Sequence, residues 1–400
     1  MPRGAATGGA PGAGTPPGAL GVDAVRRARL AAHRLARPDL PTLPAVVGHL
    51  LAVQGQEFLP ALWGAGRRVA PAARPDAAAS VADFDAGAVL RTHVLRPTWH
   101  LLLPGDARWL LELTAARVLR TTASTERAHG IADPARCLDA VADLVAAGPL
   151  TRAEVKDGLV ARGLLAPGAT GFEVGQVLMT AELRRAVISG PLRGRQHTYA
   201  AFDDRVAPGY GPLGERFDRD AALVTLWRGY LRGRAWATVK DAAQWSGLTL
   251  TELRRGLDLL REAEPGAVVD APGTGALEGL TLHGLAEVVD AAGEDAATDG
   301  AGPGVDLMQG YDELFVGYGP SRLVVRDPVA GEEPLAARPA LLHVLAVDGL
   351  VAGRWRWSAG PRRLEVATVW ARPPSPAEEA ALAARAAEAA AWWGLELRRG

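Results

Sequence analysis

Two short signatures fix the local grammar in the middle of this 400-residue chain: Thr151 is followed three residues later by Glu154, and Thr249 by Glu252. A Thr hydroxyl that accepts from the third helical N–H, with a Glu reaching back to the Thr N–H, closes two open donors at a helix start. Each pair predicts a helix beginning there. In both cases another helix comes first, PARCLDAVADLVAAG before Thr151 and ATVKDAAQWSG before Thr249. In ELRRAVISGPLRGRQHTYAAFD two strands are expected to bend around Gly190 and Gly194. Two helices, a turn and a following β pair make a helix-turn-helix with a wing. The same order reads about three times, without a shared sequence period.

The first copy is expected at Val22 to Val69 as three short helices (VDAVRRARLAAHRLA, TLPAVVGHLLAV and EFLPALWGAGRRV). A Pro/Ala-rich linker then covers 70–80, strands RTHVLR (91–96) and TWHLLL (98–103) meet at Pro97, and helix GDARWLLELTAARVLR follows. From about residue 275 short strand-like runs replace the helices: LEGLTLHG, DELFVGYG, SRLVVRD, LLHVLAVDGLVAGRWRWSA and RRLEVATVW. They predict a small barrel or an open antiparallel sheet. Ser375, Pro376 and Glu378 start an Ala-rich helix that Gly394 ends, and 290–305 reads as an exposed loop. Residues 1–21 hold seven Gly, four Pro and one charge, the composition of a flexible tail. The expected class is α+β: three tandem winged helices at 22–130, 131–215 and 216–274, then a small β-barrel domain with a C-terminal helix at 275–400.

Charge limits the partners. The formal net charge is −1, so a nucleic-acid surface must be a local patch. Residues 181–240 carry eleven basic against six acidic side chains, and 241–300 three against twelve. Such polarity suits a protein that meets phosphates with one face only. A single cysteine, Cys137, excludes a disulfide framework and any cysteine-built metal centre, and is what a reducing compartment leads one to expect. No long apolar run and no secretion-type leader stand in the sequence, so a cytoplasmic protein that binds no membrane is expected.

HExxH, GxSxG and GxxxxGK[ST] are all missing from the sequence, so neither a metal nor a cofactor is expected. The unusual polar element is Gln54-Gly55-Gln56, which interrupts the apolar run GHLLAV. Side chains at i and i+2 share one side of an extended segment. A carboxamide is no base at neutral pH, yet its donors and acceptors can fix one water. That suffices where the leaving group is already activated, as in hydrolysis of the N-glycosidic bond of a purine carrying a positive charge from alkylation. The same two glutamines could equally be solvated residues of a turn that caps two helices.

Four segments narrow the choice. Gln54-Gly55-Gln56 after an apolar helix, LRTHVLRPTWHLLLPGDARWLLELTAARV (90–118), AELRRAVISGPLRGRQHTYAAFDDRV (181–206) and GYDELFVGYG (310–319) together resemble the AlkZ-like family of bacterial winged-helix DNA glycosylases, over roughly 22–395. The resemblance implies three winged helices in a C-shaped scaffold around DNA, a C-terminal β-barrel, and excision of bulky or crosslinking alkylated purines. It also implies that Gln54 and Gln56 position the hydrolytic water. Gln at the second position places the chain nearer the branch tied to resistance against DNA-alkylating natural products. Gly55 departs from the bulkier residue usual between the pair.

Beside the resemblance, Arg96, Thr98 and His100 on the first hairpin suit contacts to phosphates or the lesion strand. Arg193, Arg195, Gln196, His197 and Tyr199 on the second suit a groove or the support of a bent duplex, and Arg254 and Arg255 occupy a recognition-helix position. Tyr311, Asp312 and Glu313 are expected to pack in the barrel or between domains rather than to act in catalysis, and most of the tryptophans, Trp99, Trp245, Trp392 and Trp393 among them, to form core. The expected partner is duplex DNA containing alkylated purines, met by a monomer. With no lysine next to Gln54-Gly55-Gln56, a Schiff-base strand-cleaving step is not expected. The rival reading is a non-enzymatic winged-helix DNA binder, a regulator or an adduct-sequestering protein. A weaker third is a protein-interaction module that has lost its DNA surface.

Overall fold

A computed structural model describes residues 18–128, 133–206, 209, 211–214, 216–295, 304–331 and 341–399. Most of the expected flexible tail lies outside them. Its last residues are held, because Leu20 exchanges backbone hydrogen bonds with Pro272 and Thr274.

After helix α1 (Val22–Ala32), one order of elements occurs three times. Unit one is α2 (Leu43–Leu50), β1 (Val53–Gln54), α3 (Phe58–Gly66), α4 (Ala77–Asp85), β2 (Leu90–Val94) and β3 (Arg96–Leu102). The long helix α5 (Pro104–Ala128) leads to unit two: α6 (Pro134–Val145), β4 (Leu150–Thr151), α7 (Arg152–Ala161), α8 (Gly171–Leu183), β5 (Val187–Ser189) and β6 (Thr198–Ala201). A turn of helix, α9 (Phe202–Arg205), precedes unit three, built of α10 (Arg219–Arg232), α11 (Val239–Ser246), α12 (Leu250–Ala263), β7 (Val268–Pro272) and β8 (Thr281–Leu285). In units one and two the short first strand pairs with the last, giving orders β1-β3-β2 and β4-β6-β5. In unit three a single bridge, Ala237 to His283, takes the place of that first strand. Both anticipated capping boxes form, and Thr170 with Glu173 and Thr238 with Asp241 make further ones at the starts of α8 and α11.

Helix α13 (Ala286–Asp295) follows, where a loop had been expected over 290–305; residues 296–303 of it lie outside the described residues, and Val305 already belongs to a strand. The C-terminal part comprises β9 (Val305–Leu307), α14 (Glu313–Val316), β10 (Val344–Val347), β11 (Leu350–Ala359), β12 (Arg363–Trp370), α15 (Pro376–Trp392) and β13 (Glu396–Arg399). Its strands form one open sheet in the order β13-β12-β11-β10-β9, with β13 parallel to β12. Among the described residues it does not close into a barrel. Leu382, Ala386 and Ala389 of α15 cover it instead.

Several local expectations are corrected. The first hairpin turns at Leu95, whose φ is +65°, while Pro97 sits inside β3 at a point that β1 does not reach, where a missing N–H leaves no gap. The last four residues of the anticipated linker, 77–80, open α4, started by Asp76, whose carboxylate accepts from Ala79 N. DELFVGYG is a one-turn helix because Asp312 caps it, and SRLVVRD is a 3₁₀ turn opened by Pro320. Short apolar runs fit a buried strand and a buried turn equally well.

One core joins α5 to units one and three and to one side of unit two: Trp109, Leu183, Trp227 and Trp245 share it. A second lies between unit one and the C-terminal sheet, where Trp63 meets Trp392 edge to face at 5.8 Å. Unit two has a third core of its own, around Val141, Val155, Leu178 and Val187. Three wholly buried arginines stitch these bodies together. Arg29 donates to Trp236 O and Ser321 O, Arg68 makes a two-pronged pair with Asp312, and Arg234 pairs with Glu313. Asp312 and Glu313 are therefore spent on packing charges between distant segments. Removing one partner of such a pair leaves the other charge buried alone, at a cost of about 3–5 kcal/mol. Arg68→Met is expected to lower the unfolding free energy by that amount, read from the midpoint of urea unfolding.

Candidate active site

Gln54 ends β1 opposite His100 of β3, and Gly55 N donates to Trp99 O at 2.8 Å. The free edge of β1 is then occupied by side chains from far along the sequence. Gln54 N donates to Glu313 Oε1 at 3.0 Å, and Gln54 O accepts from Gln309 Nε2 at 3.1 Å. Its amide oxygen accepts from Gln56 N at 3.2 Å, which closes the turn. Three fixed contacts thus hold Gln54, which is 3% exposed, while Gln56 reaches solvent. The amide nitrogen of Gln54 has no partner among the described residues. The two glutamines are therefore coupled through one side chain and one backbone N–H.

His100 and Thr92 lie in the same cross-strand row as Gln54, so all three project from one face of the sheet. His100 is wholly buried; its Nδ1 lies 3.0 Å from Thr98 O, and Nε2 has no partner. Burial, then the charge of Arg96, pushes its pKa well below the ordinary 6.5, so the ring is neutral at neutral pH. With Nδ1–H donating to the carbonyl, Nε2 is an acceptor.

Arg91 and Trp99 project from the opposite face. Arg91 reaches round to Gly55 O at 2.8 Å and Gln56 O at 3.3 Å, and its guanidinium lies 4.3 Å from the centre of the Trp99 ring. These two residues form one wall of a concavity of about 540 Å³, whose other walls come from unit two: Arg152, Lys156, Gln196, His197 and Tyr199 among them. Burial lowers the Arg91 pKa to about 10, which leaves it charged at neutral pH. Burial, then the Arg91 charge, lowers His197 to about 4, and burial followed by Glu182 raises Tyr199 to about 12. Both rings are thus uncharged. Cationic and aromatic side chains around one space suit a phosphate and an unstacked planar group together.

The expected residues fall into separate sets. Gln54, Gln56 and His100 come together, but His100 presents no surface to a phosphate, and Thr98 and Arg96 are half-buried beside it with Thr98 Oγ1 and Arg96 Nε lacking partners. Gln196, His197 and Tyr199 line the concavity, and His197 packs edge to face on Phe58 of α3 at 4.8 Å. Arg193 is exposed and turned to Glu154 at 2.6 Å, and Arg195 is exposed at the hairpin tip after Gly194. Arg254 and Arg255 are exposed on α12, away from this site, and Arg255 Nε bonds Asp220 at 2.8 Å. Trp99 lines the concavity, where a core position had been expected. Sequence reasoning passed over Arg91, Arg152, Lys156 and Gln309, and gave Glu313 a packing role without its contact to Gln54. Arg91 stands inside the segment LRTHVLR, but no local signal links Gln309 or Glu313 to a strand more than 250 residues earlier. Among the described residues, no three His, Cys, Asp or Glu side chains cluster as metal ligands.

Two outcomes follow. Gly55 has no positive φ, and a Cβ there would lie at ordinary contact distance from Leu101, 3.4 Å. Gly55→Ala is expected to keep the turn and to raise stability by roughly 0.4–1 kcal/mol through a less mobile unfolded chain, measured by urea unfolding. The lowered pKa of His197 means that between about 6.5 and 4 the unfolded chain binds the extra proton. Stability is therefore lost as pH falls through that window; His100 and His49, lowered too, add in the same sense. His197→Phe is expected to reduce the loss of melting temperature over that range.

Comparison with known proteins agrees with this architecture. The family model described as "DNA glycosylase AlkZ-like" matches residues 47–392. The "Interstrand DNA cross-link repair glycosylase" of Streptomyces sahachiroi is 28% identical over 326 residues, which is 79% of this chain and 82% of that one. The solved structure of the Streptomyces sahachiroi DNA glycosylase AlkZ superposes with a TM-score of 0.71 at 23% identity, covering 96% of this chain and all of that one. The mixed α+β fold is thus the fold of that structure. With the match running from α2 to the end of α15, the chain belongs to the AlkZ-like family of DNA glycosylases.

Proposed function

We propose that this glycosylase hydrolyses the N-glycosidic bond of bulky or crosslinked alkylated purines in duplex DNA, using a water held by Gln54 and Gln56, and leaves an abasic site. The observation that carries the reading is the triple anchoring of Gln54: a carboxamide fixed at its backbone N, its backbone O and its side-chain O is prearranged to orient one water at no further entropic cost. Neither glutamine can protonate a leaving base. The substrate must therefore bring its own activation, which the positive charge of an N3- or N7-alkylated purine supplies. Unmodified bases leave too slowly.

The concavity beside Gln56 supports the choice of a bulky lesion. Its Arg91, Arg152 and Lys156 suit the backbone, and Trp99, His197 and Tyr199 give flat surfaces on which an aromatic adduct can rest. Lys156 is one of only two lysines in the chain. We assign it to phosphate or adduct contact, with water as nucleophile, so no covalent enzyme–DNA species forms. The recurring helix, strand, helix, helix, hairpin order supports reading units one to three as winged helices over 22–130, 131–215 and 216–285, the third running past the expected bound of 274 because β8 completes its hairpin, with 286–400 as the closing domain. Exposed Arg195 and Arg254 would then meet the duplex at a distance from the lesion. The setting we infer is a nucleoid-bound monomer protecting a cell from a DNA-alkylating natural product.

The test uses duplex carrying N7-alkylguanine, with abasic sites revealed by heat or alkali. Gln54→Ala combined with Gln56→Ala is expected to bind this duplex within about threefold of the wild type while excision falls at least about 100-fold. Undiminished excision overturns the reading. Borohydride treatment during turnover is expected to trap no crosslink, and a trapped species that vanishes in Lys156→Ala would replace water by that amine.

A further inference from the structure

The face of the β1-β3-β2 sheet that carries Gln54 also carries polar atoms that the fold leaves without partners. Among the described residues, His100 Nε2, Thr92 Oγ1 and Thr98 Oγ1 are all buried and unbonded, as is Arg96 Nε beside the hairpin turn. His100 and Thr92 are wholly buried. Buried polar groups without protein partners are normally satisfied by ordered water, and a site with several of them meets the two to four contacts that such a water needs. This cluster sits behind the residue proposed to place the nucleophile.

Direction sharpens the point. Gln54 bends toward Gln56, since its Oε1 accepts from Gln56 N, two residues ahead. The His100 ring bends toward Thr98, two residues back, whose carbonyl it meets at 3.0 Å. Because β1 and β3 are antiparallel, with Gly55 N on Trp99 O, these are the same direction along the sheet. An adjacent cross-strand pair of side chains therefore leans to one end, offering the free donor Nε2 of Gln54 and the free acceptor Nε2 of His100. A water between them would be held by opposite kinds of contact. The carboxamide orients it, but only the imidazole can take a proton from it.

We propose that His100 is a third catalytic residue for the hydrolysis, accepting the proton of the water that Gln54 positions. The water oxygen bonds to C1′ as the C1′–N bond breaks. The bonding pair leaves with the purine and cancels its positive charge. One water proton passes to His100 Nε2, and the resulting imidazolium returns it to solvent. Thr98 O holds the Nδ1 proton throughout, which fixes the tautomer, and Thr92 and Thr98 hydroxyls complete the water shell. Burial, then the charges of Arg96, His93 and Arg234, opposes a resident positive charge on the ring. The proton is therefore not retained between turnovers.

This assignment rests on the proposed role of Gln54, and the test separates the two. Single-turnover excision of N7-alkylguanine and duplex affinity are measured for Gln54→Ala, His100→Ala, His100→Gln and the double Ala variant. His100→Ala is expected to lose about tenfold or more in rate with affinity within about threefold, and His100→Gln, which restores an acceptor, to recover part of it. The double variant is expected to be no more than about threefold slower than the slower single, since both residues serve one water. A His100→Ala rate within twofold of wild type beside an inactive Gln54→Ala overturns the role of His100 and leaves that of Gln54 standing. Losses that multiply overturn it too, by showing independent effects. Full activity of Gln54→Ala overturns the water-holding role itself. Should His100→Ala not fold, a high-resolution crystal structure of the wild-type protein decides: an ordered water on His100 Nε2 within reach of Gln54 upholds the proposal, and a dry chamber overturns it.

Discussion

One carboxylate holds the candidate site in place. Glu313, wholly buried on a one-turn helix, receives Gln54 N at one oxygen, and Arg234 and Trp245 Nε1 at the other. A charge in that position is tolerated only because each oxygen is met by a donor and the ion pair is complete. Its effect is geometric: the outer edge of a two-residue strand, too short to hold itself, is pinned to unit three and to the C-terminal part at once. Gln309 adds the matching contact on the carbonyl side. Gly64 makes this possible, since a Cβ there would run into the Gln309 amide. Positional accuracy, which a site without ionised catalytic groups most needs, is therefore bought far from the glutamines themselves.

The same architecture shows why the first unit differs from the other two. In unit two β4 ends on Thr151, which caps α7 directly, and in unit three Thr238 stands at the matching place before α11. In unit one three residues, Gly55 to Glu57, intervene between β1 and α3, and the helix begins without a side-chain cap. Glu57, the residue at that cap position, pairs with His343 of the C-terminal part instead. A cap contributes typically about 1 kcal/mol. Unit one forgoes it, and the lengthened junction is where an exposed carboxamide and two carbonyls that grip Arg91 become available.

Local chemistry was readable from the sequence, and long-range closure was not. The capping boxes at Thr151 and Thr249, the second hairpin and the helix opened at Ser375 depend on neighbours within a few residues, and they stand where the spacing puts them. Gln54 and Gln56 were distinguishable because two amides interrupt an apolar run. The turn at Leu95 was missed, since a positive φ at leucine is imposed by the strands on either side. DELFVGYG reads as a strand by composition and becomes a helical turn once Asp312 and Glu313 are claimed by Arg68 and Arg234. The concavity was out of reach because Arg91 and Lys156 meet only after two units dock. The burial of His100 likewise depends on a sheet whose third strand is two residues long.

That short junction carries a consequence for how such proteins can be remade. On the function proposed above, holding DNA and cutting a glycosidic bond fall to different parts of the molecule: the first to the repeated modules, the second to Gln54, the three residues that follow it and the contacts that brace them. Trimming the loop to a threonine would, on that reading, turn the enzyme into a passive clamp, at the cost of the Glu57–His343 pair and of the carbonyls that hold Arg91. Grafting it, with its bracing acid, onto a sister module would ask whether the chemistry is portable.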